Sequence, residues 1–89
     1  MATIISTTGT VTKVRPANGK TFTLEEMQKI VHGYIEVVHL SKRSLLIVNE
    51  EGKLHNLPHN PTATSVMFLY GFRDTIVGDA LLVNNTEID

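Results

Sequence analysis

The stretch Thr23-Leu24-Glu25-Glu26-Met27-Gln28-Lys29-Ile30-Val31-His32-Gly33-Tyr34-Ile35-Glu36-Val37-Val38-His39-Leu40 decides the fold class. Its hydrophobic pattern changes at one glycine. Before Gly33, the residues Leu24, Met27, Ile30 and Val31 recur at helical spacing on one face. After it, β-branched and aromatic residues take over. Thr23 and Glu26 form a capping box, in which the hydroxyl takes the third amide and the carboxylate reaches back to the cap amide. Glu25 and Glu26 in the first turn also suit the positive end of the helix dipole. Gly33 supplies a C-terminal stop. The spacing therefore predicts a helix over 23–32 and a strand over 34–40.

Downstream, Ser41-Lys42-Arg43 is a polar joint, and Ser44-Leu45-Leu46-Ile47-Val48-Asn49 is β-rich again. Two such runs with a short joint read as a hairpin. Leu45 to Val48 is apolar on both faces, which predicts a middle strand with a helix on one side. The second cover is either the other helix or a second subunit. Glu50-Glu51-Gly52 reads as a turn with Gly52 in the left-handed position, leading into a short strand at Lys53-Leu54-His55. Asn60 suits an N-cap and Pro61 a first helical position. Ala63, Val66, Met67 and Tyr70 then make a helical face, widened by Phe68 and Leu69 and ended by Gly71. Residues 75–83 read as a last strand, with Gly78 as a bulge or close approach. Residues 84–89 read as a frayed tail.

Upstream, residues 3–6 and 9–15 flank a Thr8-Gly9 turn and read as two strands or one interrupted strand. Pro16 to Gly19 is a loop. The expected order is β(β)-α-β-β-β-α-β. It describes a single α+β domain over 1–89, with a mostly antiparallel sheet of four to six strands and two helices.

Composition sets outer limits. The 89 residues contain no Cys, so disulfides, thiolate zinc sites, iron–sulfur clusters and cysteine nucleophiles are excluded. A reducing cytoplasm suits such a chain. The N-terminus lacks the basic start and long apolar run of a secretory signal, and no apolar run approaches a membrane span. Eight Lys and Arg against nine Asp and Glu give a net charge of −1, which argues against non-specific nucleic-acid binding.

Four blocks together resemble a known family. They are Leu24-x-x-Met27-Gln28-x-Ile30-Val31-x-Gly33-Tyr34-Ile35-Glu36-Val37-Val38, Asn49-Glu50-Glu51-Gly52-Lys53, Leu57-Pro58-x-Asn60-Pro61, and Asp74-x-Ile76-Val77-Gly78-Asp79-Ala80-Leu81-Leu82-Val83. The combination resembles a small domain of unknown function carried by bacteriophages, prophages and other mobile elements, matched over about residues 23–83. The resemblance implies action inside a bacterial host. It brings no catalytic residues.

The residues themselves offer a few constellations. His32, His39, His55 and His59 do not show the convergent spacing of a metal site, so no metal or other cofactor is expected. Glu36, Glu50, Glu51, Asp74 and Asp79 do acid–base work only if some of them converge in contrasting environments, and no catalytic signature accompanies them. Lys42, Arg43 and Arg73 sit at loops. With Asn49, His59 and Asn60 they outline a rim for a small anionic, nucleotide-like ligand, the helix entry at Asn60 adding backbone amides. The simpler alternative is that Asn60 merely caps its helix and the cations are solvated. Lys13, Arg15 and Lys20 make a second basic stretch. Met67, Phe68, Tyr70 and Phe72 exceed the apolar need of a two-layer domain, which points to a subunit interface and a homo-oligomer, a dimer first. The expected function is a non-enzymatic protein that interferes with host defence or regulation by binding a small anion. The alternatives are an adaptor or inhibitor of a host enzyme and a small nucleotide or phosphate enzyme.

Overall fold

The computed structural model describes residues 2–88; Met1 and Asp89 lie outside the described residues. Five strands and two helices follow one another as β1 (Ala2–Ile5), β2 (Val11–Val14), α1 (Leu24–Val31), β3 (Ile35–His39), β4 (Ser44–Asn49), α2 (Pro61–Leu69) and β5 (Ala80–Asn84). A short 3-10 helix, Asn85–Glu87, closes the chain. The strands form one antiparallel sheet in the order β2-β1-β5-β4-β3. The α+β class and its antiparallel sheet are those expected from the sequence.

Strand alternation sorts the core into two halves. Ile4, Leu81, Ile47 and Val37 are aligned across the strands and face α1, where they pack with Met27 and Val31. Leu82, Leu46 and Val38 are likewise aligned and face α2, whose Ala63 and Met67 lie in the same cluster. The sheet is thus covered by a helix on each side. The doubly apolar run in β4 is fully buried for this reason, and α2 supplies the second cover. Fully burying each of these aliphatic side chains contributes about 1.5–3 kcal/mol.

Helix α1 carries the expected capping box: Glu26 N–H donates to Thr23 Oγ1 at 3.1 Å, and Thr23 N–H donates to Glu26 Oε1 at 2.9 Å. Its stop is shifted by one residue from the expectation. The left-handed residue is His32, at φ 65°, and not Gly33. Gly33 is required for a different reason, since a Cβ there would lie 2.7 Å from Nδ2 of Asn49. Leu24, expected on the buried face, is 54% exposed because it stands at the first turn, beyond the edge of the sheet cluster.

Three further expectations are corrected. Residues 53–55 form no strand. Amide bonds Gly52 to Asn49, His55 to Glu51, Asn56 to Lys53 and Leu57 to Gly52 engage that backbone in consecutive turns, and Asn56 takes the left-handed conformation assigned to Gly52. The last strand begins at Ala80 rather than 75. Ile76 instead donates to Thr64 Oγ1 and accepts from Asn60, while Gly78 donates to Pro58, so the segment binds the entry to α2. Residues 84–88 are docked and not frayed. Asn85 donates to the carbonyls of Arg43 and Lys42, and Phe22 donates to Glu87.

Candidate functional site

Two buried asparagines organise the end of the sheet where α1 stops and α2 starts. Asn60 is wholly buried. Its Nδ2 donates to the carbonyls of Ile5 and Gly78, both at 2.9 Å, and its Oδ1 accepts from Ala63 N–H at 3.0 Å. One side chain thereby caps α2 and ties it to β1 and to the approach to β5. Asn49 does the same for α1. Its Nδ2 donates to the Val31 carbonyl at 3.0 Å, and its Oδ1 accepts from Glu51 N–H at 2.8 Å. Asn60 spends both of its N–H donors and its oxygen on these structural bonds, whereas Asn49 makes its two bonds and also lines a surface groove.

The cations expected to share that rim lie elsewhere. Lys42 and Arg43 occupy the β3–β4 turn, at the far end of β4 from Asn49. Asn49 is six residue steps from Arg43 along the strand, about 20 Å. His59 stands beside α2 with Nε2 3.2 Å from Thr64 Oγ1. Arg73 is exposed after α2, next to Asp74. The six residues Lys42, Arg43, Asn49, His59, Asn60 and Arg73 are therefore divided between the two ends of the sheet.

The carboxylates are divided too. Glu36, Glu50, Glu51 and Asp74 line one groove of about 250 Å³ on the α2 face, along the β3 edge, whose floor includes Val38, Val48 and Met67. Asp74 is paired with Lys53 at 2.8 Å, and that hydrogen bond holds its carboxyl below the ordinary range. Asp79 is not in this groove. Its Oδ1 accepts from Thr7 N–H at 3.0 Å, and its Oδ2 lies 3.4 Å from His32 Nε2. It braces the β1–β2 turn against the end of α1. Among the described residues, no group of three or more His, Asp or Glu side chains could hold a metal ion, and no helix is long and apolar enough to cross a membrane.

The expected interface residues separate by burial. Met67 is in the core, and Phe72 packs against the same cluster. Met67 is therefore a core and not an interface residue; α2 is apolar around much of its circumference, which hides the buried face from a periodicity argument. Phe68 and Tyr70 are exposed at 57% and 42%, and Leu69, which pattern reading treated as part of a widened core face, is 85% exposed.

These elements span nearly the whole chain, and so does the match to a family model for a domain of unknown function, over residues 2–89. The chain belongs to the DUF3846 family. The match takes in β1 and β2, which the sequence blocks at 23–83 did not reach. No curated protein and no solved structure matches the DUF3846 chain. The DUF3846 domain thus presents an open apolar-floored groove with an acidic rim, and beside it the end of α2, where Phe68, Leu69 and the capping Tyr70 are exposed.

Proposed function

We propose that this DUF3846 domain is a non-enzymatic docking module of phage or other mobile-element origin. It engages a bacterial host protein in the cytoplasm through its α2 face and so alters host defence or regulation. The observation that carries this reading is the end of α2, where Phe68, Leu69 and Tyr70 stand 57%, 85% and 42% exposed in consecutive positions. These consecutive side chains fan around the helix end rather than share one face, and several large apolar groups left in water at one site are the mark of an interaction surface. Aromatic anchors of this kind dominate binding energy at interfaces. The adjoining groove sets the chemistry of the partner segment: an apolar anchor over Val38 and Met67, flanked by Lys or Arg facing Glu36 and Glu50. The phage or mobile-element origin rests on the four sequence blocks.

The enzyme reading has less support, because Asp79 is engaged by Thr7 and His32, away from the groove that holds Glu36 and Asp74. The small-anion reading has less support because Lys42 and Arg43 stand at the opposite end of the sheet from Asn49.

The test is capture from bacterial lysate with a photo-crosslinking residue in place of exposed Ser65, one turn before Leu69. A single host protein is expected, with capture lost in Leu69→Asp and kept in Arg73→Glu. Both side chains are exposed, so both variants should melt with the parent. Capture that ignores Leu69→Asp sinks the reading. Calorimetric binding of a nucleotide that is abolished by Arg43→Glu would replace it with the small-anion reading.

A further inference from the structure

The β3 edge has a second property, independent of the α2 patch. Glu50 N–H donates to the Tyr34 carbonyl and Leu40 N–H to the Ser44 carbonyl. In an antiparallel ladder these bonded pairs alternate. Residues 36 and 38 therefore turn their backbone groups toward β4, and Ile35, Val37 and His39 turn theirs outward. Among the described residues nothing pairs with that outward side, since β3 ends the sheet. Along this edge Ile35, Val37 and Val38 are only half-buried. The edge is also bipolar. Glu36, Glu50 and Glu51 lie toward its start, and Lys42 and Arg43 lie in the turn at its finish.

We propose that β3 pairs antiparallel with β3 of a second copy about a two-fold axis, making one continuous sheet across the dimer. An antiparallel two-fold brings the acidic start of each edge against the basic finish of the other. Centred on Val38, it sets Val38 against its own copy and Val37 against His39 of the second copy, so the outward groups exchange four backbone hydrogen bonds. Tyr34 then faces the second copy's Lys42, with Glu50 one strand further in, about 4.8 Å away. The interface is self-complementary and closes at two chains. The other free edge, β2, does not offer this. It carries Lys13 and is followed by Arg15, so a two-fold there opposes like charges. Lysine on an exposed strand is a common guard against edge pairing.

Sedimentation equilibrium of the full chain, with amide hydrogen exchange on the same samples, tests this. A species of twice the 9.9 kDa chain mass is expected. The Val37 and His39 amides should gain protection as concentration rises. Val37→Pro should abolish the dimer by removing an amide that donates across the two-fold, and should spare the sheet within each copy because that amide is not used there. Lys42→Glu lies outside the strands and should keep the fold. It should weaken the dimer by about tenfold, since two opposed pairs are inverted at once. Adding Glu50→Lys to that variant should restore the dimer. A chain monomeric at millimolar concentration overturns the proposal. So does a dimer indifferent to both Val37→Pro and Lys42→Glu. Larger species that dissolve with Lys13→Glu would also overturn it, because they indicate head-to-tail pairing of β2 on β3.

Discussion

Asn60 is the residue whose replacement should cost this fold most for its size. Its side chain accepts from Ala63 N–H and donates to the Ile5 and Gly78 carbonyls, all within a fully buried setting. Asn60→Ala removes three bonds at once. The lost cap costs about 1 kcal/mol. The two carbonyls left without this donor cost roughly 1–3 kcal/mol each if no water reaches them. The sum is about 3–7 kcal/mol. A domain of this size has about 4–13 kcal/mol in total, so the variant should melt some 20 °C lower or fail to fold. Asn60→Asp separates the two contributions. Aspartate is as good a cap as asparagine, yet it sets a carboxylate oxygen where Nδ2 now faces two carbonyls. If bridging dominates, the Asp variant is destabilised at neutral pH like the Ala variant or more. Its buried carboxyl would have a raised pKa, so it would regain stability as pH falls and protonation restores a donor. Urea unfolding followed by circular dichroism, at neutral and mildly acidic pH, measures both. An Asp variant as stable as the parent at neutral pH would show that the cap alone matters and would refute the bridging argument.

Two smaller predictions concern α1. Gly33→Ala brings a methyl within 2.7 Å of Asn49 Nδ2 and should displace that amide from the Val31 carbonyl, costing roughly 1–3 kcal/mol by thermal or urea unfolding. Glu26 has a carboxyl held below the ordinary range, first by the Thr23 amide and then by the Ala17 amide. Its folded pKa lies below its unfolded one, so its contribution is present above the unfolded pKa and fades as pH falls through the folded value. Glu26→Gln should therefore flatten the acid limb of the melting-temperature profile, and an unchanged limb would count against the capping box as its source.

Much of the architecture was legible because it rests on local chemistry. Thr23 and Glu26 announce the start of α1, Asn60-Pro61 announces α2, and Leu45 to Val48 announces a strand covered on both faces. The misread segments are those where a partner distant in sequence overrides local preference. Ile76 and Val77 are β-formers, but Thr64 and His59 claim their backbone or pair with it, so no sheet strand starts there. Residues 84–88 look like a tail until Asn85 meets the β3–β4 turn. The candidate site was less legible still. Asn49 and Asn60 have the chemistry of ligand groups and of caps alike, and only their burial decides between them.

By itself, the sequence determined where helices begin, which runs become strands, and that cysteine chemistry is absent. Capping, turn chemistry and hydrophobic period act over a few residues, so a linear reading can reach them. The tertiary structure alone decided that α1 and α2 take opposite faces, that Met67 is inside while Leu69 is outside, and that the acidic groove and the basic turn lie along one free edge. Those outcomes depend on strand order and on side chains far apart in the chain, which no local pattern encodes.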